Sequence, residues 1–426
     1  MKEDFLHYVW RYQKFDKTEL ETSDGAKVKT IKTGFAHANS GPDFQQAKIL
    51  IDDMEWNGAV EIHIKSSDWN RHNHQEDPNY ENVVLHVVWK NDDPIQHPDG
   101  SKIPTIELKD RVDYDLIEKY QKLQSSQDEI PCAGHWNEIS SFHKSEMLEK
   151  ALVERLHQKS EKAKTHFEEG AQNWDQASYF MLLSAMGFKV NQHPFERLAE
   201  ILPYSLIKKY RGNIFQLEAL LFGASGFLAE DFQDEYPNQL KKEWEFLKHK
   251  HKATLGNEMH LHEWRFLRLR PANFPTIRLA ELAQILHVFP SLFDAFVTDM
   301  DLKNIHKRLK VKVSDYWLNH YQFEKESKFR NKQLGQNSIK TLIINCIPPL
   351  LALYANCVGE EKYMDKALAL LNEIKAEKNY ITKKFSALGE EIKSAFDSQA
   401  MIQLHNEYCQ PKKCLDCSIG LSILKA

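Results

Sequence analysis

The chain has 426 residues, 42% of them hydrophobic and 27% charged, a balance that suits a globular protein with its own core and two or three domains. A formal net charge of −5 excludes a global positive field that would draw in nucleic acid, so any such surface must be local. The charged start Lys2-Glu3-Asp4 lacks the apolar stretch of a secretion signal. The longest apolar run, around Leu342–Leu353, is interrupted by Asn345, Pro348 and Pro349, so a cytoplasmic protein with no membrane partner is expected.

In chain order, Phe5, Val9 and Tyr12 recur at helical spacing and predict a helix over 3–15. Residues 18–110 read as β-rich, with turns at Ser23-Asp24-Gly25 and Pro98-Asp99-Gly100. Strands are predicted at Val28–Phe35, Gln46–Ile51, Ala59–Lys65, Val83–Trp89 and Thr105–Leu108. Val83–Trp89 is apolar on both faces apart from His86, the pattern of a central strand. Polar residues Gln124–Glu129 then predict a boundary, giving a small mixed α/β domain over 1–122 and a helical domain over 132–426, an α+β chain overall. Helices are expected over Ser145–Glu169, from Asn173 to Met186, and at Leu217–Phe222, Pro275–His287, Ile339–Tyr354 and Lys362–Lys378. Asn173 with Gln176, and Asn213 with Gln216, have the spacing of capping boxes.

The chemistry-bearing residues gather between Gly41 and His86. Side chains alternate along a strand, so Glu61, His63 and Lys65 share one face while Val60, Ile62 and Ile64 share the other. A hairpin through Asp52–Gly58 would bring Asp43 beside Glu61. Two converging carboxylates suit Mg²⁺ or Mn²⁺, with His63 or Lys65 to steer or activate a water. A structural reading stands beside this one: Asp43 as a turn residue after Gly41-Pro42, and Glu61 and Lys65 as a solvated sheet face. A second group, Asp68, His72, His74 and Asp77, has imidazoles and carboxylates suited to Zn²⁺, with His86 or His63 to complete it, in a segment that reads as a polar surface loop.

Pro42-Asp43 followed by Glu61-Ile62-His63 resembles the PD-(D/E)XK nuclease superfamily, over roughly residues 1–110 including the leading helix. The resemblance implies metal-dependent phosphodiester hydrolysis of DNA or RNA, with Asp43 and Glu61 on the metal. His63 stands where that superfamily usually has lysine; Lys65 lies on the same face and would substitute. Two other readings remain: a non-catalytic nucleic-acid or protein binding module that keeps a degraded nuclease-like site, and a zinc-dependent hydrolase built on His72, His74 and Asp77.

Cys409, Cys414 and Cys417 are close enough in sequence to ligate one Zn²⁺ or a [4Fe–4S] cluster, with Cys132 as the fourth ligand or His135 in its place. One distant and three clustered cysteines beside a nuclease-like domain are similar to the iron–sulfur-stapled nucleases of CRISPR adaptation and recombination, although here they flank the helical part. Arg265, Arg268, Arg270 and Arg278 alternate with aromatics and are candidate phosphate contacts, or else a packing motif. Gly41-Pro42-Asp43-Phe44, Val60–His63, Ser67-Asp68-Trp69, Val84–Val88, Arg268–Pro275 and the terminal cysteines together resemble an uncharacterised bacterial domain-of-unknown-function family over nearly the full length.

Overall fold

A computed structural model describes residues 2–37, 40–170 and 172–425. It has two compact units. One comprises Met1–Glu149, Lys384–Glu390 and Ile402–Ala426, the other Lys150–Lys383 and Glu391–Met401.

The first unit opens with helix α1 (Glu3–Arg11), whose Phe5, Leu6, Val9 and Trp10 are buried. The helix is shorter than its periodicity predicts. Gln13 turns to a φ of 52°, and Phe15 folds back to stack on Trp10 with ring centroids 6.2 Å apart. Six strands follow: β1 (Val28–Lys32), β2 (Phe35–Ala36), β3 (Phe44–Ile51), β4 (Met54–Lys65), β5 (Val83–Lys90) and β6 (Thr105–Glu107). The predicted first strand is split at Gly34, where φ is 91° and a Cβ would meet the Gln45 carbonyl at 2.8 Å. Strand order is β1-β3-β4-β5-β6, with β2 also paired to β3. The β1, β2 and β3 pairings are antiparallel, whereas β4–β5 and β5–β6 are parallel.

The β3–β4 connection is a tight turn at Asp52-Asp53 rather than the longer Asp52–Gly58 loop, because Ile51 already pairs with Met54. Parallel pairing of β4 and β5 demands a crossover. Helix α2 (Asp68–Arg71) and the 3₁₀ turns His74–Glu76 and Pro78–Tyr80 supply it. The fully buried Trp69 anchors this crossover in a cluster with Ala59, Tyr80, Val83, Ile95 and Ile103. Helix α3 (Tyr114–Ser125) completes the continuous part.

The polar stretch after α3 lies inside this unit. Lys412 Nζ donates to the carbonyls of Gln124 (2.6 Å) and Ser126 (2.9 Å), and Gln124 Nε2 donates to the Lys412 carbonyl at 3.0 Å. A lysine satisfying the last carbonyls of a helix is favourable capping. Residues that look like a linker are therefore the dock for the end of the chain. Helix α4 (Ser141–Glu169) belongs to this unit as far as Glu149.

The second unit is helical, as expected. Its elements are α5 (Trp174–Met186), α6 (Gln192–Ile201), α7 (Tyr204–Tyr210), α8 (Ile214–Ala224), α9 (Glu235–Lys250), α10 (Pro275–Val288), α11 (Leu302–Arg308) and α12 (Tyr316–Asn319). A small antiparallel hairpin, β7 (His320–Gln322) and β8 (Lys325–Glu326), follows. Then come α13 (Gln336–Val358), α14 (Lys362–Glu373), α15 (Tyr380–Ala387), which passes into the first unit at Lys384, and α16 (Ala395–Gln403), which does so at Ile402; α17 (Ser418–Lys425) belongs to the first unit. Asn173 and Asn213 cap α5 and α8 through their side-chain oxygens, as their spacing predicts. Helix α13 continues through Asn345, Pro348 and Pro349, with Asn345 Nδ2 donating to the Thr341 carbonyl at 2.6 Å. Among the described residues it alone is long and apolar enough to cross a membrane, and most of its apolar side chains are buried within the unit.

Candidate metal centre

Strand β4 presents Glu61 and His63 on one face, and the neighbouring strands bring partners to them. The Asp43 carboxylate accepts the Ile62 N–H at 2.9 Å, while the Asp43 N–H donates to Glu61 Oε2 at 3.1 Å. The two acids expected to meet therefore do so, through reciprocal bonds between β3 and β4. From β5, His86 lies opposite Glu61 and its Nε2 is 2.8 Å from His63 Nδ1. From α1, His7 Nε2 stands 3.3 Å from Asp43 Oδ2.

The crossover adds two imidazoles. Asn73, with φ at 59°, turns the chain between His72 and His74, a conformation asparagine tolerates well. His72 Nδ1 is 3.2 Å from His63 Nε2, and Glu61 Oε1 is 3.5 Å from both His63 Nε2 and His74 Nε2. His63, His72 and His74 each offer a ligand atom within 4.8 Å of the other two. Tyr80 stacks on His74 at 3.8 Å between centroids and fixes that ring. Glu61 and His63 of the first sequence group and His72 and His74 of the second therefore come together.

Ligands held about 2.0–2.1 Å from a tetrahedral ion stand about 3.3–3.4 Å apart. Three contacts lie near that edge length: His63 to His72 at 3.2 Å, and Glu61 to His63 and to His74 at 3.5 Å. In the tautomer where His63 Nδ1–H donates to His86, the His63 Nε2 lone pair faces the group. Electrostatics point the same way. Burial, then the charge of Asp43, pushes the Glu61 carboxyl far above the usual carboxylate range. Burial, then the neighbouring imidazoles, lowers His63 to about 2, and burial lowers His86 to about 3, so both rings are neutral with a lone pair to offer. Burial alone would lower His7, but the Asp43 carboxylate beside it wins and raises it. The Asp43 carboxylate thus favours the charged form of His7, whereas burial disfavours it in His63 and His86.

Other candidates sit elsewhere. Lys65 Nζ is 4.0 Å from Asp92. Asp77 caps the second 3₁₀ turn, accepting from the backbone and side chain of Asn79 at 2.9 Å. Asp68 takes Arg71 at 2.8 Å and the Lys65 N–H at 3.1 Å. Arg265, Arg268 and Arg270 are exposed in the second unit. Arg278 is buried there, bound to Glu281 (2.7 Å) and Asn273 (2.6 Å). Cys132, Cys409, Cys414 and Cys417 all belong to the first unit, and His135 is exposed and paired with Glu138. The sequence reading passed over His7, whose only signal is its position four residues after Glu3 at the edge of an amphipathic helix.

The fold and site define an α+β protein whose mixed sheet carries a buried carboxylate–imidazole centre. The chain belongs to the family described as protein of unknown function (DUF2851), whose model matches residues 3–380. No curated protein and no solved structure matches it.

Proposed function

We propose that the first unit is a metal-dependent hydrolase of phosphodiester bonds in nucleic acid, active in the cytoplasm, with one divalent ion held by Glu61, His63, His72 and His74. The observation that carries the reading is the gathering of His63, His72 and His74, each with a ligand atom within 4.8 Å of the other two, while Glu61 Oε1 lies 3.5 Å from both His63 Nε2 and His74 Nε2. A set dominated by imidazole suits Mn²⁺ or Zn²⁺ better than Mg²⁺. Such an ion lowers the pKa of a bound water and stabilises charge on a phosphoryl oxygen.

The chain's own residues orient this centre. Asp43 locks the Glu61 carboxylate through its backbone N–H, and His86 holds the His63 ring. His63, neutral by burial, serves as a ligand here instead of replacing the lysine charge of the nuclease pattern. The substrate class rests on the resemblance of Pro42-Asp43, just before β3, and Glu61-Ile62-His63, on the adjacent β4, to that pattern. Arg265, Arg268 and Arg270 are proposed phosphate contacts of the second unit. A zinc hydrolase acting on another ester is the second reading, favoured by the predominance of imidazole in the set.

Chelator-stripped full-length protein should bind one Mn²⁺, an ion with little affinity for thiolates, by calorimetry and cleave labelled DNA or RNA with the ion present. Both activities should vanish in Glu61→Ala and His74→Ala variants that keep their circular dichroism. Ion binding with ester hydrolysis but no nucleic-acid cleavage supports the second reading. Ion binding without hydrolysis makes this a binding module, and wild-type protein that takes up no divalent ion sinks all the catalytic readings.

A further inference from the structure

One distant cysteine, Cys132, and three clustered near the chain's end, Cys409, Cys414 and Cys417, come together in the first unit. Cys132 precedes the 3₁₀ turn Ala133–Glu138, Cys409 ends a π-helical turn from Leu404, Cys414 opens a one-turn helix, and Cys417 immediately precedes α17. All four are thiols, 7–8% exposed. Each lies within electrostatic reach of the other three.

The backbone is built around this gathering. Between Cys409 and Cys417 the chain makes a knuckle: the Lys412 N–H donates to the Cys409 carbonyl (3.1 Å), Lys413 N–H to Tyr408 (2.8 Å) and Asp416 N–H to Lys413 (3.2 Å). Lys412 adopts a φ of 56° and ties the knuckle to the end of α3, close before Cys132. At Gly420 any Cβ would lie 2.2 Å from the Cys414 carbonyl, so only glycine lets α17 seat on the knuckle. Four buried sulfurs held by strained and glycine-dependent backbone are more than small apolar packing requires.

We propose that Cys132, Cys409, Cys414 and Cys417 form a tetrathiolate site for a thiophilic metal, zinc or an iron–sulfur cluster, independent of the histidine–carboxylate centre. Ligation replaces four S–H bonds with four sulfur–metal bonds and releases the protons to solvent. The site staples the C-terminal segment to the start of the unit. It also steadies α1: the knuckle packs on that helix, whose Asp4 bonds Tyr120 at 2.9 Å and whose His7 faces Asp43.

The test uses full-length protein purified without oxygen in a Glu61→Ala/His74→Ala background, so that only thiol-bound metal is counted. One zinc per chain, replaceable by Co²⁺ with an intense thiolate-to-cobalt charge-transfer band, establishes the zinc form. Iron with acid-labile sulfide and a brown colour establishes the cluster form. In either case p-hydroxymercuribenzoate should release the metal from native protein, Cys414→Ser and Cys417→Ser should lower its content several-fold, and Cys357→Ser should not. If the cysteine variants fail to fold, mercurial release from the background protein decides alone. Protein free of zinc and iron, or metal that the mercurial does not release, overturns the proposal.

Discussion

At His63 the sequence and the fold assign different work to the same side chain. The nuclease-like pattern asks for a cation there, but burial among His86, His72 and His74 keeps this ring from taking up a second proton. Its value is as a neutral donor, and His86 sets its direction. Replacing His86 by Ala removes no proposed ligand yet leaves His63 Nδ1 buried without a partner. Metal affinity in a chelator-competition titration should fall roughly 10–100-fold, the usual cost of losing an outer partner of a metal-binding histidine. His86→Gln, which keeps an acceptor, should recover most of it; an unchanged affinity in His86→Ala would show that His63 does not bind the ion. Glu61 and Asp43 were legible because alternation along one strand and a hairpin to its neighbour are local rules. His7 was not, because it reaches Asp43 from a helix whose packing on the sheet no local rule gives.

The elements themselves followed their sequence signals where side chains within one segment decide. Asn173 and Asn213 mark the starts of α5 and α8, and the apolar run Val83–Trp89 is a central strand. The segment around His72 and His74 read as a surface loop because its residues are polar. Trp69, fully buried beneath it, turns it into a crossover that delivers both imidazoles to β4. Among the helices, α8 buries Glu218 against Tyr236 and Ser314. Burial raises this acid to about 7 although both hydroxyls donate to it, which lowers it. The folded pKa lies above the unfolded value, so the stabilisation is complete below about pH 4.5 and is lost as pH rises through about 7. Urea unfolding of the second unit should show wild type losing on the order of 3 kcal/mol relative to Glu218→Gln between those limits. A constant difference between the two proteins across this range would mean that Glu218 does not titrate there.

On the scale of the molecule, the first unit is assembled from three separate stretches of chain. Compositional change around Lys122–Pro131 suggested a boundary, yet those polar groups bond Lys412. Removing Ile402–Ala426 deletes α17, the knuckle and the cap on α3. The truncated chain should lose the cooperative unfolding transition of its sheet, seen by hydrogen exchange at Val83–Lys90, while amides of α13 stay protected. Full protection in β5 after truncation would show that the returning segment is not needed.

The sequence by itself determined the α+β division, the strand carrying Glu61 and His63, the meeting of Asp43 with Glu61, and the cysteines worth watching. All of these depend on side-chain periodicity or on spacing within a few dozen residues. Only the tertiary structure decided that Glu61 and His63 come together with His72 and His74, that Arg278 and Lys65 are engaged elsewhere, and that the chain's end closes on its beginning. Those outcomes arise from burial and from hydrogen bonds between distant segments, and pairing across such separations leaves no periodic trace in a single chain.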